Sequence, residues 1–75
     1  MLTVYSSDTC PPCSTLKRWL DSKGVVYDVV NREQDPDRFS EIMKLTGVST
    51  VPQVLIDGVP IVGLNIGRTK ELLGI

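Results

Sequence analysis

Apolar and polar positions vary along the chain in a pattern that predicts seven secondary-structure elements. Residues 2–6 form a short apolar run with the length of a buried strand. Leu16 and Leu20 then recur at helical spacing among polar residues, which predicts an amphipathic helix that ends at Gly24. The continuous β-branched run at residues 25–30 predicts a second buried strand. Together these elements predict a βαβ unit with a right-handed crossover.

The second half of the chain predicts a helix, a β-hairpin and another helix. Asp35 and Pro36 are typical of the N-cap and first position of a helix, which should end at Gly47. Its inward face carries Phe39, Ile42 and Met43. The dipeptide Asp57-Gly58 lies between two short apolar runs and is a strong signal for a two-residue hairpin turn. Asn65 can cap a short last helix.

The resulting order, β-α-β-α-β-β-α, predicts an α/β fold with a four-stranded mixed sheet and three helices placed on both of its faces. The 75 residues are expected to form one domain, spanning 1–75. A formal net charge of −1, with scattered basic residues, predicts neither nucleic acid nor a membrane surface as a partner. The chain shows no apolar run of membrane-spanning length and no signal peptide, so we expect a cytoplasmic protein. We also expect it to act as a monomer.

The chemistry suggested by the sequence lies in Cys10-Pro11-Pro12-Cys13, at the junction between the first strand and the first helix. A C-x-x-C pair in this position is typical of a thioredoxin-type dithiol. At a helix N-terminus, unpaired N–H groups and the helix dipole favour a Cys10 thiolate, while Cys13 lies one turn further on. Because Pro11 and Pro12 have no N–H, Cys10 should depend on the amides of Cys13 and Ser14.

Other uses of two cysteines have less support. Two cysteines without histidine cannot supply four zinc ligands, so we expect no metal site within one chain, although a site shared between subunits stays open. A purely structural disulfide across so short a loop would constrain the unfolded chain little.

A second unusual feature is Thr50-Val51-Pro52, where a proline stands at the entrance of a predicted strand. One interpretation is an ordinary proline at a strand start. The other is a cis Val51–Pro52 peptide bond that directs the main chain of Val51 toward a substrate opposite Cys10. Only about 5–6% of X–Pro bonds are cis, so the pattern alone favours the first interpretation.

Taken together, the C-P-P-C site, Thr50-Val51-Pro52-Gln53-Val54 and Ile56-Asp57-Gly58 resemble the glutaredoxin family, in the family's order and over nearly the whole chain. The resemblance implies a thioredoxin fold, thiol–disulfide exchange and a cis Pro52. It also implies a catalytic pair, Cys10 and Cys13. The substrate-binding residues that it implies are Thr9, Pro12, Thr50, Val51, Pro52, Gly63, Leu64 and Asn65.

The chain departs from glutathione-using members of that family at several positions. Ser7 stands where they usually carry lysine, and Pro12 where they carry tyrosine. Of their Gly-Gly-x-Asp-Asp stretch only Gly63 is kept, while Asn65 retains the shape of the first aspartate without its charge. The Gly63-Leu64 step is similar to redoxins that thioredoxin reductase reduces, some of which serve ribonucleotide reductase. The chain lacks, however, the Trp-Ser-Gly-Phe stretch of those redoxins.

The resemblance implies a dithiol–disulfide oxidoreductase that binds no cofactor and acts on a protein disulfide or a glutathione mixed disulfide. Its reductant would be glutathione or thioredoxin reductase. Two other classes stay open at this point, a thioredoxin-fold binding protein without turnover and an iron–sulfur carrier.

Overall fold

The computed structural model describes residues 2–75, and each predicted element is present. The strands are β1 (Leu2–Ser6), β2 (Asp28–Asn31), β3 (Gln53–Ile56) and β4 (Val59–Val62), and the helices are α1 (Pro11–Ser22), α2 (Pro36–Thr46) and α3 (Ile66–Leu73). The strand order is β2-β1-β3-β4, with β1 parallel to β2 and antiparallel to β3. The predicted α/β fold with a mixed sheet is therefore confirmed.

The side chains of β1 alternate between the two faces of the sheet and so contribute to two cores. One core packs the sheet against α1 and α3; its buried members are Leu2, Val4, Leu16, Leu20, Val54, Ile56 and Ile61, and Leu72 and Leu73 pack against it. The other packs the sheet against α2 and contains Tyr5, Val30, Phe39 and Ile42. The predicted placement of helices on both faces is confirmed. Within residues 2–75, no helix has the length and apolar content to cross a bilayer.

Local sequence signals set the ends of α2 and α3 as predicted. The Asp35 carboxylate accepts a hydrogen bond from the Arg38 N–H at 3.4 Å, and the Asn65 side chain accepts one from the Arg68 N–H at 3.0 Å. Gly47 follows α2 with a φ of +76°, a left-handed conformation that suits a residue without a Cβ.

The predicted second strand, residues 25–30, was wrong at its start. β2 begins only at Asp28, and Val26 is 92% exposed. The reason is tertiary: parallel pairing with β1 begins at Thr3 and Asp28. Before that point the Val25 N–H donates to the Leu20 carbonyl at 3.1 Å, which ties this segment to the end of α1. Since β2 is also an edge strand, only Val30 of its valines is fully buried.

The hairpin between β3 and β4 closes through Asp57 and Gly58, whose φ angles of +48° and +85° suit a type I′ turn. Ile56 pairs with Val59, and the strands continue in antiparallel register to Gln53 and Val62. In such a hairpin the main-chain groups of alternate residues face the partner strand. Those of Pro60, an exposed residue, therefore face away from β3.

Strand directions bring the candidate functional loops to one edge of the sheet. β1 and β2 both end there, because Ser6 pairs with Asn31. β3 begins there, because Gln53 pairs with Tyr5 on one side and with Val62 on the other. The C-x-x-C loop, the β2–α2 loop, the Thr50-Val51-Pro52 segment and the segment after β4 therefore share this edge.

Candidate active site

The two cysteines differ sharply in exposure although they lie within one helical turn. Cys10 is the N-cap of α1 and is partly exposed, whereas Cys13 lies in the first turn with only 1% of its surface accessible. Their sulfurs form a disulfide with the Cα atoms 5.2 Å apart. The predicted pair is thus in contact, with one member facing solvent and the other enclosed by protein.

The amides at the start of α1 support the expected environment of Cys10 only in part. The Cys13 N–H donates to the Cys10 Sγ at 3.2 Å, as expected. The Ser14 N–H donates to the Cys10 carbonyl oxygen at 3.2 Å, so the expectation that Ser14 would contact the sulfur was wrong. The cause is geometric, because the Ser14 amide is positioned for the first i→i+4 hydrogen bond of the helix.

The Val51–Pro52 peptide bond is cis, as the resemblance implied. Thr50 is exposed, Val51 is partly buried against the α2-side core, and Pro52 is buried. The Pro52 carbonyl accepts a hydrogen bond from the Gly63 N–H at 2.8 Å, which joins the segment before β3 to the segment after β4. Two of the predicted substrate-binding stretches are therefore in direct contact.

The remaining predicted residues lie at the same edge with varied accessibility. Thr9 and Pro12 are exposed on either side of Cys10. Leu64 is 42% exposed. The side-chain oxygen of Asn65 is already engaged as the cap of α3, so a contact with substrate would fall to another of its atoms.

Gln53 is a site-forming residue that the sequence analysis did not single out. Its side chain is completely buried, and its Nε2 donates to the Val48 and Thr50 carbonyls at 3.0 and 2.9 Å. Its Oε1 accepts from the Thr46 hydroxyl at 2.8 Å. One buried amide thus holds the end of α2 and the loop that leads to Pro52. A polar residue at a core-facing position of a short strand was the available signal.

A polar network centred on Glu33 was also missed. The Ser7 hydroxyl donates to the Glu33 carboxylate, and the Asp8 N–H donates to the same oxygen at 3.1 Å. Arg32 pairs with the other carboxylate oxygen at 2.9 Å and donates through Nη1 to the Ser49 carbonyl at 3.0 Å. The network connects the loop before Cys10 to the loop before Pro52.

These contacts change the acidity of Glu33. The Ser7 hydroxyl, followed by the Arg32 guanidinium, favours the ionised form and lowers the pKa of the Glu33 carboxyl below its ordinary value. Ser7, the residue at which the resemblance implies a lysine in glutathione-using members, is thus bound to a carboxylate. Elsewhere in residues 2–75, no three His, Cys, Asp or Glu side chains converge as metal ligands would.

Replacing Gln53 with methionine should destabilise the protein by about 1–3 kcal/mol, because similar volume is kept while buried hydrogen bonds are lost. Urea unfolding measures the change, with the exposed Gln34→Met as the matched control. Equal stability of the two variants would contradict the holding role of Gln53.

Glu33 should contribute stability that depends on pH. Because its pKa is lower in the folded than in the unfolded chain, this stability is complete above the unfolded value and is lost as pH falls through the folded value. Unfolding free energies measured from about pH 5 to about pH 3 should therefore decline less steeply in Glu33→Gln than in the wild type. The control is Glu41→Gln, which also removes one exposed carboxylate but at a site on α2, away from the Glu33 network. An unchanged slope in Glu33→Gln would refute the linkage.

Comparison with known proteins places this site in a family. The sequence profile of the family described as Glutaredoxin matches residues 2–61. A glutaredoxin-like 8.6 kDa protein of the rubredoxin operon of Clostridium pasteurianum is 37% identical over 73 residues, covering 97% of each chain. Glutaredoxin 3 of Escherichia coli K12 is 37% identical over 62 residues, covering 83% of this chain and 75% of the relative. The glutaredoxin-like protein NrdH of Lactococcus lactis is 27% identical, covering 96% of this chain and 99% of the relative.

Solved structures agree with the sequence comparison. The thioredoxin-like protein BC3987 superposes with a TM-score of 0.89 at 26% identity, covering 96% of this chain and 99% of the other. A glutaredoxin–glutathione complex from buckwheat superposes with a TM-score of 0.75 at 32% identity, covering 97% and 69%. With the family profile matched over most of its length, the chain belongs to the glutaredoxin family and is a thiol–disulfide oxidoreductase.

Proposed function

We propose that Cys10 is the attacking thiol and Cys13 the resolving thiol of a dithiol mechanism. The observation that carries this assignment is the difference in exposure, since a substrate disulfide can approach the partly exposed Cys10 but not the enclosed Cys13. The amide of Cys13 and the dipole of α1 stabilise negative charge on the Cys10 sulfur. Nucleophilic attack on a disulfide requires the thiolate form.

The reaction transfers two electrons in two exchanges. In the first, the Cys10 thiolate attacks one sulfur of the substrate disulfide. The substrate S–S bond breaks, a mixed disulfide forms, and the leaving thiolate takes a proton. In the second, Cys13 loses its proton and attacks the Cys10 sulfur. The substrate leaves as its second thiol, and the protein is left with the Cys10–Cys13 disulfide, which a separate reductant must return to two thiols. The two sulfurs carry the electrons, so no step uses a metal or an organic cofactor.

The remaining predicted residues would hold the substrate around Cys10. The Val51 main chain would pair with an extended substrate, with Thr50 beside it. Gly63 and Leu64 would form the far wall, and Thr9, Pro12 and the Asn65 amide would line the rim. Since the Gly63 N–H is engaged by the Pro52 carbonyl, Gly63 would contribute to this wall through shape rather than by donating a hydrogen bond. A reducing compartment such as the cytoplasm would keep both thiols available.

Glutathione is the first candidate reductant, and the buckwheat complex shows a relative of this fold with glutathione bound. The second candidate is thioredoxin reductase, with ribonucleotide reductase as the acceptor. One observation favours the second: the Ser7 hydroxyl is bound to the Glu33 carboxylate, where a lysine would offer a cation to a glutathione carboxylate. The Lactococcus NrdH relative is compatible with either interpretation.

Single-cysteine variants should separate the two thiol roles. We expect Cys13→Ser, incubated with a protein disulfide, to accumulate a mixed disulfide at Cys10, because the second exchange is blocked. Cys10→Ser should form none, because Cys13 is enclosed. Mass spectrometry after acid quenching measures both. A mixed disulfide at Cys13 in the Cys10→Ser variant would reverse the assignment.

Two coupled assays of NADPH oxidation identify the reductant. One contains glutathione and glutathione reductase, and the other contains thioredoxin reductase. The Ser7–Glu33 pair offers no cation to a glutathione carboxylate, so we expect turnover with thioredoxin reductase alone. In that case the double variant Ser7→Lys, Glu33→Gln should gain turnover with glutathione. Turnover of the wild type with glutathione alone would reject the second candidate.

A further inference from the structure

A cleft of about 470 Å³ opens beside Cys10 along α1, and of the residues proposed above to hold the substrate only Thr9 lines it. The residues that line it come from the β1–α1 loop and the first two turns of α1; they are Asp8, Thr9, Cys10, Pro11, Ser14, Thr15 and Arg18. Neither the Val51–Pro52 segment nor the Gly63–Leu64 wall is part of this lining. The cleft therefore reaches the reactive cysteine from its own direction, along α1.

The α1 residues of the cleft form one stripe along the helix, because residues three and four apart lie on the same face. Within this stripe the Thr15 hydroxyl is already engaged by the Pro11 carbonyl at 3.3 Å. On the loop side, Asp8 accepts a hydrogen bond from the Asn31 side chain at 2.7 Å. These groups shape the cleft but have partners within the protein.

Arg18, at the far end of the stripe, differs from the other arginines of the chain. Arg32, Arg38 and Arg68 each form an ion pair with a carboxylate. Arg18 is exposed and forms no ion pair with any residue from 2 to 75. Its guanidinium carries five donors in a planar arrangement that matches a carboxylate. The cleft thus ends in a cation that is available to a ligand.

The distance from Arg18 to Cys10 determines how long a ligand must be to reach both residues. Arg18 lies eight positions after Cys10, so the main chains of the two residues are separated by about 12 Å along the helix axis. An extended peptide covers about 3.3 Å per residue, so this distance corresponds to three or four residues of a bound chain. A peptide that places its cysteine sulfur at Cys10 and a carboxylate at Arg18 must therefore extend several residues beyond that cysteine.

We propose that this cleft is a recognition subsite for the polypeptide that flanks the substrate disulfide, with Arg18 binding an acidic side chain three or four residues from the attacked cysteine. The proposal rests on the proposed role of Cys10 as the attacking thiol. It adds a preference for acidic protein substrates, which the family assignment does not supply.

The test uses symmetric disulfide peptides with blocked termini that carry Glu, Gln or Lys at the fourth residue from the cysteine, in one series before it and in another after it. Pre-reduced protein is mixed with excess peptide, and free peptide thiol is measured after acid quenching to give a second-order rate constant. The variants are Arg18→Glu and, as a matched control on the same helix, Lys17→Glu, which makes the same charge reversal outside the cleft. The Glu/Lys rate ratio is compared within each protein, so any general change in Cys10 reactivity cancels.

In at least one series the wild type should react about twofold to fivefold faster with the Glu peptide than with the Lys peptide at low ionic strength. Arg18→Glu should invert this ratio, Lys17→Glu should keep its direction, and high salt should reduce it. A wild-type ratio near one in both series, or a ratio that Arg18→Glu leaves unchanged, would overturn the subsite.

A separate readout keeps the subsite distinguishable from the mechanism. Peptides with serine in place of cysteine are titrated into the oxidised protein, and amide shifts of Ser14 and Thr15 are followed by NMR. Stronger binding of the Glu peptide that is lost in Arg18→Glu would support the subsite even if no turnover occurred, whereas equal binding of the Glu and Lys peptides would reject it. Reduction of bis(2-hydroxyethyl) disulfide by the wild type tests the proposed mechanism alone.

Discussion

The double pairing of β1 is the constraint on which the rest of the structure depends. This strand is hydrogen-bonded to a parallel neighbour on one side and an antiparallel neighbour on the other. Since its side chains are enclosed on both faces, a shift of one residue would exchange the two cores. Its register therefore fixes where the chain leaves the sheet to enter the Cys10 loop. It also fixes where β3 begins, immediately after Pro52.

The reactive edge is then held by polar side-chain contacts, which are local in sequence for Gln53 and join distant loops for Glu33. Gln53 binds the segment that leads from α2 to Pro52, and Glu33 binds the loop that leads to Cys10. The two differ physically: the buried amide has no access to water and must be satisfied internally, whereas the carboxylate lies in an exposed network. Position at the edge is thus fixed by strand pairing, and loop conformation by side chains that are not themselves reactive.

The sequence predicted most of the fold because its signals are local. Gly47 after an apolar stripe, Asp57-Gly58 between two short runs and Asn65 before the last helix each act within a few residues. The start of β2 could not be predicted in this way, because it depends on where the pairing of β1 begins. The roles of Gln53 and Glu33 were missed for a related reason. Their partners are defined by packing, and Ser7 lies 26 residues from Glu33.

Pro60 has a consequence for how the protein behaves at high concentration. β4 is an edge strand, and such a strand can act as a template on which another chain adds a strand and starts aggregation. Of the two β4 residues whose main chain faces outward, Pro60 has no N–H to offer, although the ladder to β3 loses nothing. Among the outward-facing residues of this strand, only Val62 retains an N–H. Val62 lies at the end of the strand nearest the Cys10 loop. Addition of a strand along β4 is thus disfavoured at Pro60, whereas the end of the strand next to the Cys10 loop keeps an outward N–H.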